Sequence, residues 1–393
     1  MRLDVIQDLS QRRAEFREFA LERIAPYAAA QDREQRLAGH IVGDLATRGY
    51  LAPFLSREWG GEAMCWTLLG ALHEEIGRVC SSVRSLLTVH AMTTFAIQRW
   101  GGNALRKRWL LPLARGEILG ALALSEPNAG SDINGVETHA TPRADGFVVN
   151  GCKKWMTIGQ IAGLFLVLVK SEGGSATLLV ERDRPGLTIE PIYDVLGTRG
   201  SMLATLKFQD CFVPRENLIG RPGFGNSVAL SALSLGRYSV ACGSLGIIQA
   251  CLDASVAYAC KVSRFGVGLK EHQLIQQMIT DMVTDVTASR LLCREVGRMR
   301  DEQDPHEIQQ TFIAKYHASV AAMRAAHHAV QIHGANGCSA DYPVERYLRD
   351  AKVMEIIEGS TQIQQITIAS LAFEQLEQAR PNAVTVPMKP FSA

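Results

Sequence analysis

The chain has almost no net charge: 41 basic residues stand against 40 acidic ones, for +1 overall. That balance argues against nucleic acid or an acidic membrane surface as the main partner. It has nine cysteines, but no CxxC pair and no spacing that suits a disulfide framework or a zinc site. Mostly apolar neighbours point instead to buried free thiols in a reducing compartment, and no metal is expected. No unbroken apolar run reaches about 18 residues, so no membrane span is expected. The opening MRLDVIQDLSQRRAEFREFA is charged and amphipathic, unlike a secretory signal, and a cytoplasmic location is expected. Neither a Rossmann GxGxxG nor a P-loop occurs, so no general nucleotide fingerprint is present.

What is present divides the chain into segments. Residues 1–116 read as helical, with a long amphipathic stretch to Ala28, a short helix closed by Gly49, and apolar helices at Trp66–Val79, Ser85–Trp100 and Leu105–Ala114. Residues 117–222 change to short alternating strands with Gly and Pro punctuation, a compact barrel or sandwich; Asn150-Gly151 is a strong hairpin signal. Residues 223–380 are helical again, four long helices that suggest a bundle, the fourth running through 349–365 to about Leu376. Residues 381–393, rich in Pro, read as an irregular tail. The expected fold is therefore mainly α with a central β domain.

The stretch RDAKVMEIIEGSTQIQQ, Arg349 to Gln365, concentrates the chemistry. Apolar residues at helical spacing end at Glu358. Gly359 then permits a backbone turn, and the hydroxyls of Ser360 and Thr361 suit the start of another helix. Read alone, Glu358 is a capping or surface carboxylate, or a base placed at a helix break.

The surrounding motifs resemble those of the acyl-CoA dehydrogenase family. EIIEGSTQIQQ resembles the segment IYEGTxxIQR, which carries the family's catalytic glutamate, here Glu358. ALSEPNAGSD resembles ALTEPxAGSD, a loop that contacts a flavin ring and the acyl thioester; it supplies Leu122, Leu124, Ser125, Gly130 and Ser131. KKWMTIGQ resembles KxWITNG, with Trp155 packing on the flavin and Thr157 near its N5; Ile158 replaces the usual asparagine. KVSRFGVGLKEHQ resembles RxQFGxxLxEHQ, which reaches the FAD of a neighbouring subunit. Phe265 and Gln273 fit it, but Val262 takes the place of the arginine, so Arg264 or Lys261 is left to reach the pyrophosphate. QIHGANGC resembles QxxGGxGY, giving Gln331, Gly334 and, in place of glycine, Ala335. The resemblance further assigns Ser360 and Gln362 to the cofactor, and Ser131, Arg237 and Gly359 to the substrate.

The resemblance implies an N-terminal helical domain, a middle β-barrel, a C-terminal four-helix bundle, FAD as cofactor, and a homodimer or homotetramer. It implies that Glu358 removes the α-proton of an acyl thioester while hydride leaves the β-carbon for flavin N5. CSSVRSLLTVHAM, GRYSVACGSLGIIQAC and RDAKVMEIIEGS are most similar to dehydrogenases that act on a small acyl group held by an acyl carrier protein in polyketide extender-unit pathways of the hydroxymalonyl type. The alternatives are a short-chain or branched-chain acyl-CoA dehydrogenase, a flavin monooxygenase on the same fold, and a helical interaction protein that has lost its flavin. Retention of a base favours dehydrogenation over oxygenation. The sequence names no electron acceptor.

Overall fold

A computed structural model describes residues 3–378; the expected tail, 381–393, lies outside them. Helix α1 (Leu3–Phe19) does not run unbroken to Ala28. It passes through a wide π turn (Ala20–Ile24) and a 3-10 turn (Ala25–Tyr27) before α2 (Ala28–Glu34). Pro26 lacks the N–H that a regular α-helix needs there, and the two irregular turns absorb the loss. Then come α3 (Ile41–Thr47), α4 (Trp66–Val79), α5 (Ser81–Trp100) and α6 (Asn103–Ala114). Helix α5 starts earlier than Ser85 because a single extended residue, Cys80, separates it from α4.

The middle region is one eight-stranded sheet, with β1 (Gly120–Ala123), β2 (His139–Pro142), β3 (Gly146–Met156), β4 (Leu164–Ser171), β5 (Gly174–Glu181), β6 (Leu187–Pro191), β7 (Ala204–Pro214) and β8 (Leu218–Ile219). The order is β6-β7-β3-β2-β4-β5-β8, and β1 lies parallel to β4 off that path. The hairpin expected at Asn150-Gly151 is absent, because β3 runs straight through it. The dipeptide is instead a bulge, where the register against β7 shifts between Val149 and Gly151. The Asn150 side chain bridges to Asp210 on β7, accepting from its N–H at 2.8 Å. His90 of buried α5 ties the helices to the sheet. It accepts from Gly120 N–H at 3.2 Å through Nδ1, so Nε2 carries the proton that it donates to the Leu113 carbonyl at 3.1 Å.

The last region begins with α7 (Gly225–Lys261) and a two-strand ribbon, β9 (Ser263–Arg264) and β10 (Val267–Gly268). Helices α8 (Gln273–Asp301), α9 (Glu307–His333), α10 (Val344–Met354) and α11 (Thr361–Gln378) follow. The fourth long helix is thus two helices, parted at residues 355–360. Helix α7 is long and apolar enough to cross a membrane by length and composition alone, yet 67% of its most apolar window is buried inside the fold. It is the core helix against which α4, α5, α8, α9 and α10 pack. The Arg349 guanidinium on α10 grips Asp32 of α2 at 2.6 and 3.0 Å and the Leu196 carbonyl at 3.1 Å, so three parts of the chain meet there.

One buried ion pair shapes the loop after β1. Lys153 Nζ, fully buried on β3, donates to Glu126 Oε1 at 2.7 Å and to the Leu124 carbonyl at 3.0 Å. Glu126 also accepts from the N–H groups of Glu137 and Thr138 at 2.7 and 3.0 Å. Removing one partner leaves the other as an uncompensated buried charge. Lys153→Met should therefore cost about 3–5 kcal/mol of unfolding free energy in urea. Adding Glu126→Gln should recover part of it. A single-variant loss indistinguishable from zero would show that water reaches Glu126.

Candidate active site

A cavity of about 1150 Å³ lies where the helices, the sheet and the break between α10 and α11 meet. Three walls are built by different rules. The first is the loop after β1. It is held to β3 by the Lys153–Glu126 pair and by a bond from Lys154 N–H to the Ser125 carbonyl at 2.9 Å. Leu122, Leu124, Ser125, Gly130 and Ser131 all line the cavity. Gly130 has open space where a side chain would begin.

The second wall is the end of β3. Its register against β7 shifts again between Lys153 and Met156, and Trp155 adopts φ +71. A bulge of this kind re-aims a side chain. Trp155 is half exposed at the cavity, with Thr157 beside it. Hydroxyls, backbone N–H groups and a flat aromatic face suit a flavin ring, and Glu126, the buried acid nearby, is already neutralised.

The third wall carries Glu358. Glu358 and Gly359 both have left-handed backbones, φ +56 and +91. For a residue with a Cβ that conformation costs roughly 1–2 kcal/mol. Three side chains hold it. Arg237 Nε donates to the Glu358 carbonyl at 3.2 Å, Lys315 Nζ to the Gly359 carbonyl at 2.7 Å, and Gln364 Nε2 to both, at 3.2 and 2.9 Å. Ser360 Oγ accepts from Ile363 N–H at 3.4 Å, a loose N-cap of α11.

The Glu358 side chain turns inward. Its Oε2 is buried and has no hydrogen-bond partner. It sits against Gly236 of α7, where a Cβ would come within 2.3 Å of it. Burial pushes the carboxyl up to about 7; the nearby cations Arg237, Arg84 and Lys315 pull the other way without prevailing. The capping and surface readings of Glu358 do not describe this geometry. An unpaired carboxyl that titrates near neutrality in a cavity has the properties of a general base.

Arg237 and Gly359, assigned to substrate from the sequence, and Ser360, assigned to cofactor, also line the cavity. Arg237 is buried, with its guanidinium 4.5 Å from the Phe312 ring. The remaining sequence-assigned residues lie elsewhere in the chain. Arg264 and Phe265 form the exposed tip of the β9–β10 ribbon, where Phe265 is 98% exposed. Gln273 opens α8, Gln331 lies in the last turn of α9, and Gly334 and Ala335 lie in the 3-10 turn that follows it, all exposed; Gln362 is exposed in the first turn of α11. None of these lines the cavity of the single chain.

Sequence reading missed Arg84, Lys315, Gln364 and Gly236. A lone cation inside an apolar helical run, as in SSVRSLLTV or FIAKYHASV, is the signal that marks the first two. Among the described residues no group of three or more His, Cys, Asp or Glu could hold a metal ion. His333 is committed to the Ala329 carbonyl at 2.7 Å and stacks on Tyr258.

Comparison with known proteins agrees with the fold. The acyl-CoA dehydrogenase N-terminal domain matches residues 7–117, the middle domain 121–211 and the C-terminal domain 223–372. The mouse (Mus musculus) mitochondrial short-chain specific acyl-CoA dehydrogenase is 35% identical over 359 residues, covering 90% of this chain and 87% of that protein. Butyryl-CoA dehydrogenase from Megasphaera elsdenii superposes with a TM-score of 0.89 at 30% identity, covering 95% of this chain and 99% of that one. FkbI, for biosynthesis of a methoxymalonyl polyketide extender unit, superposes with a TM-score of 0.84 at 31% identity, covering 92% and 99%.

The raised carboxyl has a consequence for stability. Between its ordinary value of 4.5 and about 7, folded Glu358 keeps a proton that the unfolded chain has released. Its contribution to stability is whole below about pH 4.5 and is lost as pH rises through 7. Glu358→Gln cannot titrate, so its melting temperature relative to wild type should be higher at pH 8 than at pH 5. A difference that does not change with pH would mean that the carboxyl ionises freely in the folded state.

Proposed function

The chain belongs to the acyl-CoA dehydrogenase family, and from that premise we propose that it oxidises a small acyl group carried by an acyl carrier protein, with Glu358 as the base. Its class is not in question: it is an FAD-dependent oxidoreductase acting on acyl thioesters. The observation that carries the site assignment is the buried, unpartnered Glu358 Oε2, facing the same cavity as Ser125, Trp155 and Thr157.

In this reading the Glu358 carboxylate takes the α-proton of the bound thioester. The apolar surround of Glu358 raises its basicity when substrate displaces water. Its left-handed backbone, held by Arg237, Lys315 and Gln364, fixes where the carboxyl stands and leaves the Glu358 N–H as a donor for the thioester oxygen. Bound FAD would supply the acceptor for the hydride that leaves the β-carbon. Leu122, Leu124, Ser125, Gly130, Ser131, Trp155 and Thr157 would hold its ring, and Ser360 and Gln362 its approach from α11.

The carrier-bound substrate is supported by the stretches around Arg84, Arg237 and Glu358 and by the similarity to FkbI. The second reading, an acyl-CoA substrate, is supported by the curated short-chain relatives. One experiment addresses both. The FAD-loaded protein is mixed anaerobically with the same acyl group on carrier protein and on CoA, and loss of the yellow colour is timed. Carrier thioesters should react faster, by an advantage that shrinks as salt rises, since carrier proteins are acidic. Equal or better reaction of the CoA thioester moves the protein to the second reading. Glu358→Gln should slow bleaching by about 10²–10⁴-fold with FAD retained; bleaching at the wild-type rate would remove Glu358 from the chemistry.

The exposed set Arg264, Phe265, Gln273, Gln331, Gly334 and Ala335 is assigned to the FAD of a partner copy, in a homodimer or a homotetramer built from dimers. Its exposure in the single chain supports this, as does the exposed apolar surface of Leu274, Ile366 and Phe373. Arg264 then takes the role that Val262 cannot. A charge-assisted contact contributes about 1.5–3 kcal/mol, so Arg264→Ala should release FAD on dilution while the fold persists. A stable, FAD-loaded monomer by light scattering would overturn the assignment.

A further inference from the structure

The base and the flavin wall belong to different parts of the chain. Glu358 is fixed by tethers from α7, α9 and α11, whereas Trp155 and Thr157 stand at the end of β3. Oxidation of a thioester needs both at once, because a proton leaves the α-carbon and a hydride leaves the β-carbon beside it. A misplacement of about 1 Å can cost on the order of 10²-fold in rate. The two walls therefore have to be held in register.

The loop between β6 and β7 meets both walls, and its residues 192–198 line the cavity. On one side it is bonded to the chain just past Thr157. Ile158 N–H donates to the Ser201 carbonyl at 2.8 Å, and Gln160 Nε2 to the Leu203 carbonyl at 2.9 Å. On the other side it lies on α10, the helix that ends at Met354, shortly before Glu358. Buried Asp350 Oδ1 accepts from Thr198 N–H at 2.6 Å, and Arg349 NH1 donates to the Leu196 carbonyl at 3.1 Å. Between these two bonds, a Cβ on Gly197 would come within 2.3 Å of the Arg349 carbonyl, so the loop backbone rests directly on the helix. The loop's shape also needs support: Asp194, Thr198 and Met202 all have left-handed backbones, φ +57, +49 and +48. Helix α2 braces the same junction. Asp32 holds Arg349 at 2.6 Å, and Gln35 Oε1, just past the helix, accepts from Asp194 N–H at 2.7 Å.

We propose that Asp350 is a positioning residue, with Arg349 as its partner: through the 192–203 loop they set where Glu358 stands relative to the flavin wall. Neither lines the cavity. Their effect is on the alignment of the proton and hydride transfers, not on the basicity of Glu358, whose own tethers come from other helices. This rests on the reading of Glu358 as the base.

The test separates the base from the flavin. In a methylthioacetyl thioester, sulfur replaces the β-carbon of butyryl, so an α-proton can leave but no β-hydride can. Exchange of its α-hydrogen for deuterium in D2O, followed by NMR with the FAD-loaded protein, reads Glu358 alone. Anaerobic bleaching by the butyryl thioester reads Glu358 and the flavin wall together. Both thioesters are supplied on CoA and on carrier protein. Asp350→Ala should slow bleaching at saturating thioester by about 10- to 100-fold and leave the exchange rate unchanged. Asp350→Asn, whose side-chain oxygen still accepts from Thr198 N–H, should bleach near the wild-type rate. Arg349→Lys keeps the charge beside Asp32 but cannot also reach the Leu196 carbonyl. It should show the same split as Asp350→Ala, and it decides the matter if Asp350→Ala does not fold. Wild-type protein that exchanges no deuterium would sink the reading of Glu358 and the proposal with it. Wild-type exchange, with both rates falling together in the variants or with neither falling, would overturn the proposal alone and leave Glu358 as the base. So would an Asp350→Asn variant as slow as Asp350→Ala.

Discussion

The site depends on holding two consecutive residues, Glu358 and Gly359, in a left-handed backbone between two helices. A helix that simply continued through this segment would carry the carboxyl around its axis and away from α7. The break is expensive, and no single contact could hold it. Three long side chains from three helices, Arg237 of α7, Lys315 of α9 and Gln364 of α11, converge on the two carbonyls that the break leaves without helical partners. Strain of this sort persists only where the surroundings over-determine it. Here the core helix, the helix beside it and the helix after the break all do so.

The same arrangement sets the electrostatics. Arg237 and Lys315 are spent on backbone oxygens, so their charges act on the carboxyl of Glu358 at a distance and do not cap it. That is why burial prevails and the carboxyl rises to about 7 despite three cations nearby. Had either formed a direct ion pair with Oε1 or Oε2, the carboxyl would have been pulled down and would have had little tendency to take a proton. The positive charge also offsets part of the penalty of creating a carboxylate in the cavity. Gly236 completes the arrangement by leaving room: any larger residue would push Oε2 off its place.

Much of this was legible in the sequence, and the reasons are local. Glu358, Gly359, Ser360 and the ALSEPNAGSD loop are contiguous motifs whose chemistry is written in adjacent letters. Helix type and extent followed from apolar spacing, and Trp66–Val79 agrees to the residue. Apart from the irregular turns at Pro26, the misreadings came from long-range contacts. Asn150-Gly151 has the composition of a turn, but pairing with Asp210 on β7 kept it inside a strand. The break was legible at Gly359 and Ser360, but nothing adjacent to Glu358 announces the tethers Arg237 and Lys315, which come from far along the chain. Arg84 and Lys315 were invisible for the same reason: a charge in an apolar run marks an anomaly but not its partner.

The sequence motifs also divide in a way that the single chain cannot reconcile. Motifs before residue 160 and around 358 meet in one cavity. Those at 261–273 and 331–338 are exposed, with Phe265 almost wholly in solvent. A large aromatic side chain at the tip of a short ribbon gains nothing from water, and the ribbon's turn, with φ +51 at Phe265 and +79 at Gly266, presents it outward. The ribbon is not loose: Leu269 N–H bonds the Val262 carbonyl at 2.7 Å, closing it against the end of α7. An outward-facing aromatic is exposed apolar surface of the kind that marks an interaction site. Under the proposed assignment, burying Phe265 and completing the cofactor site are one and the same contact with a second copy of the chain.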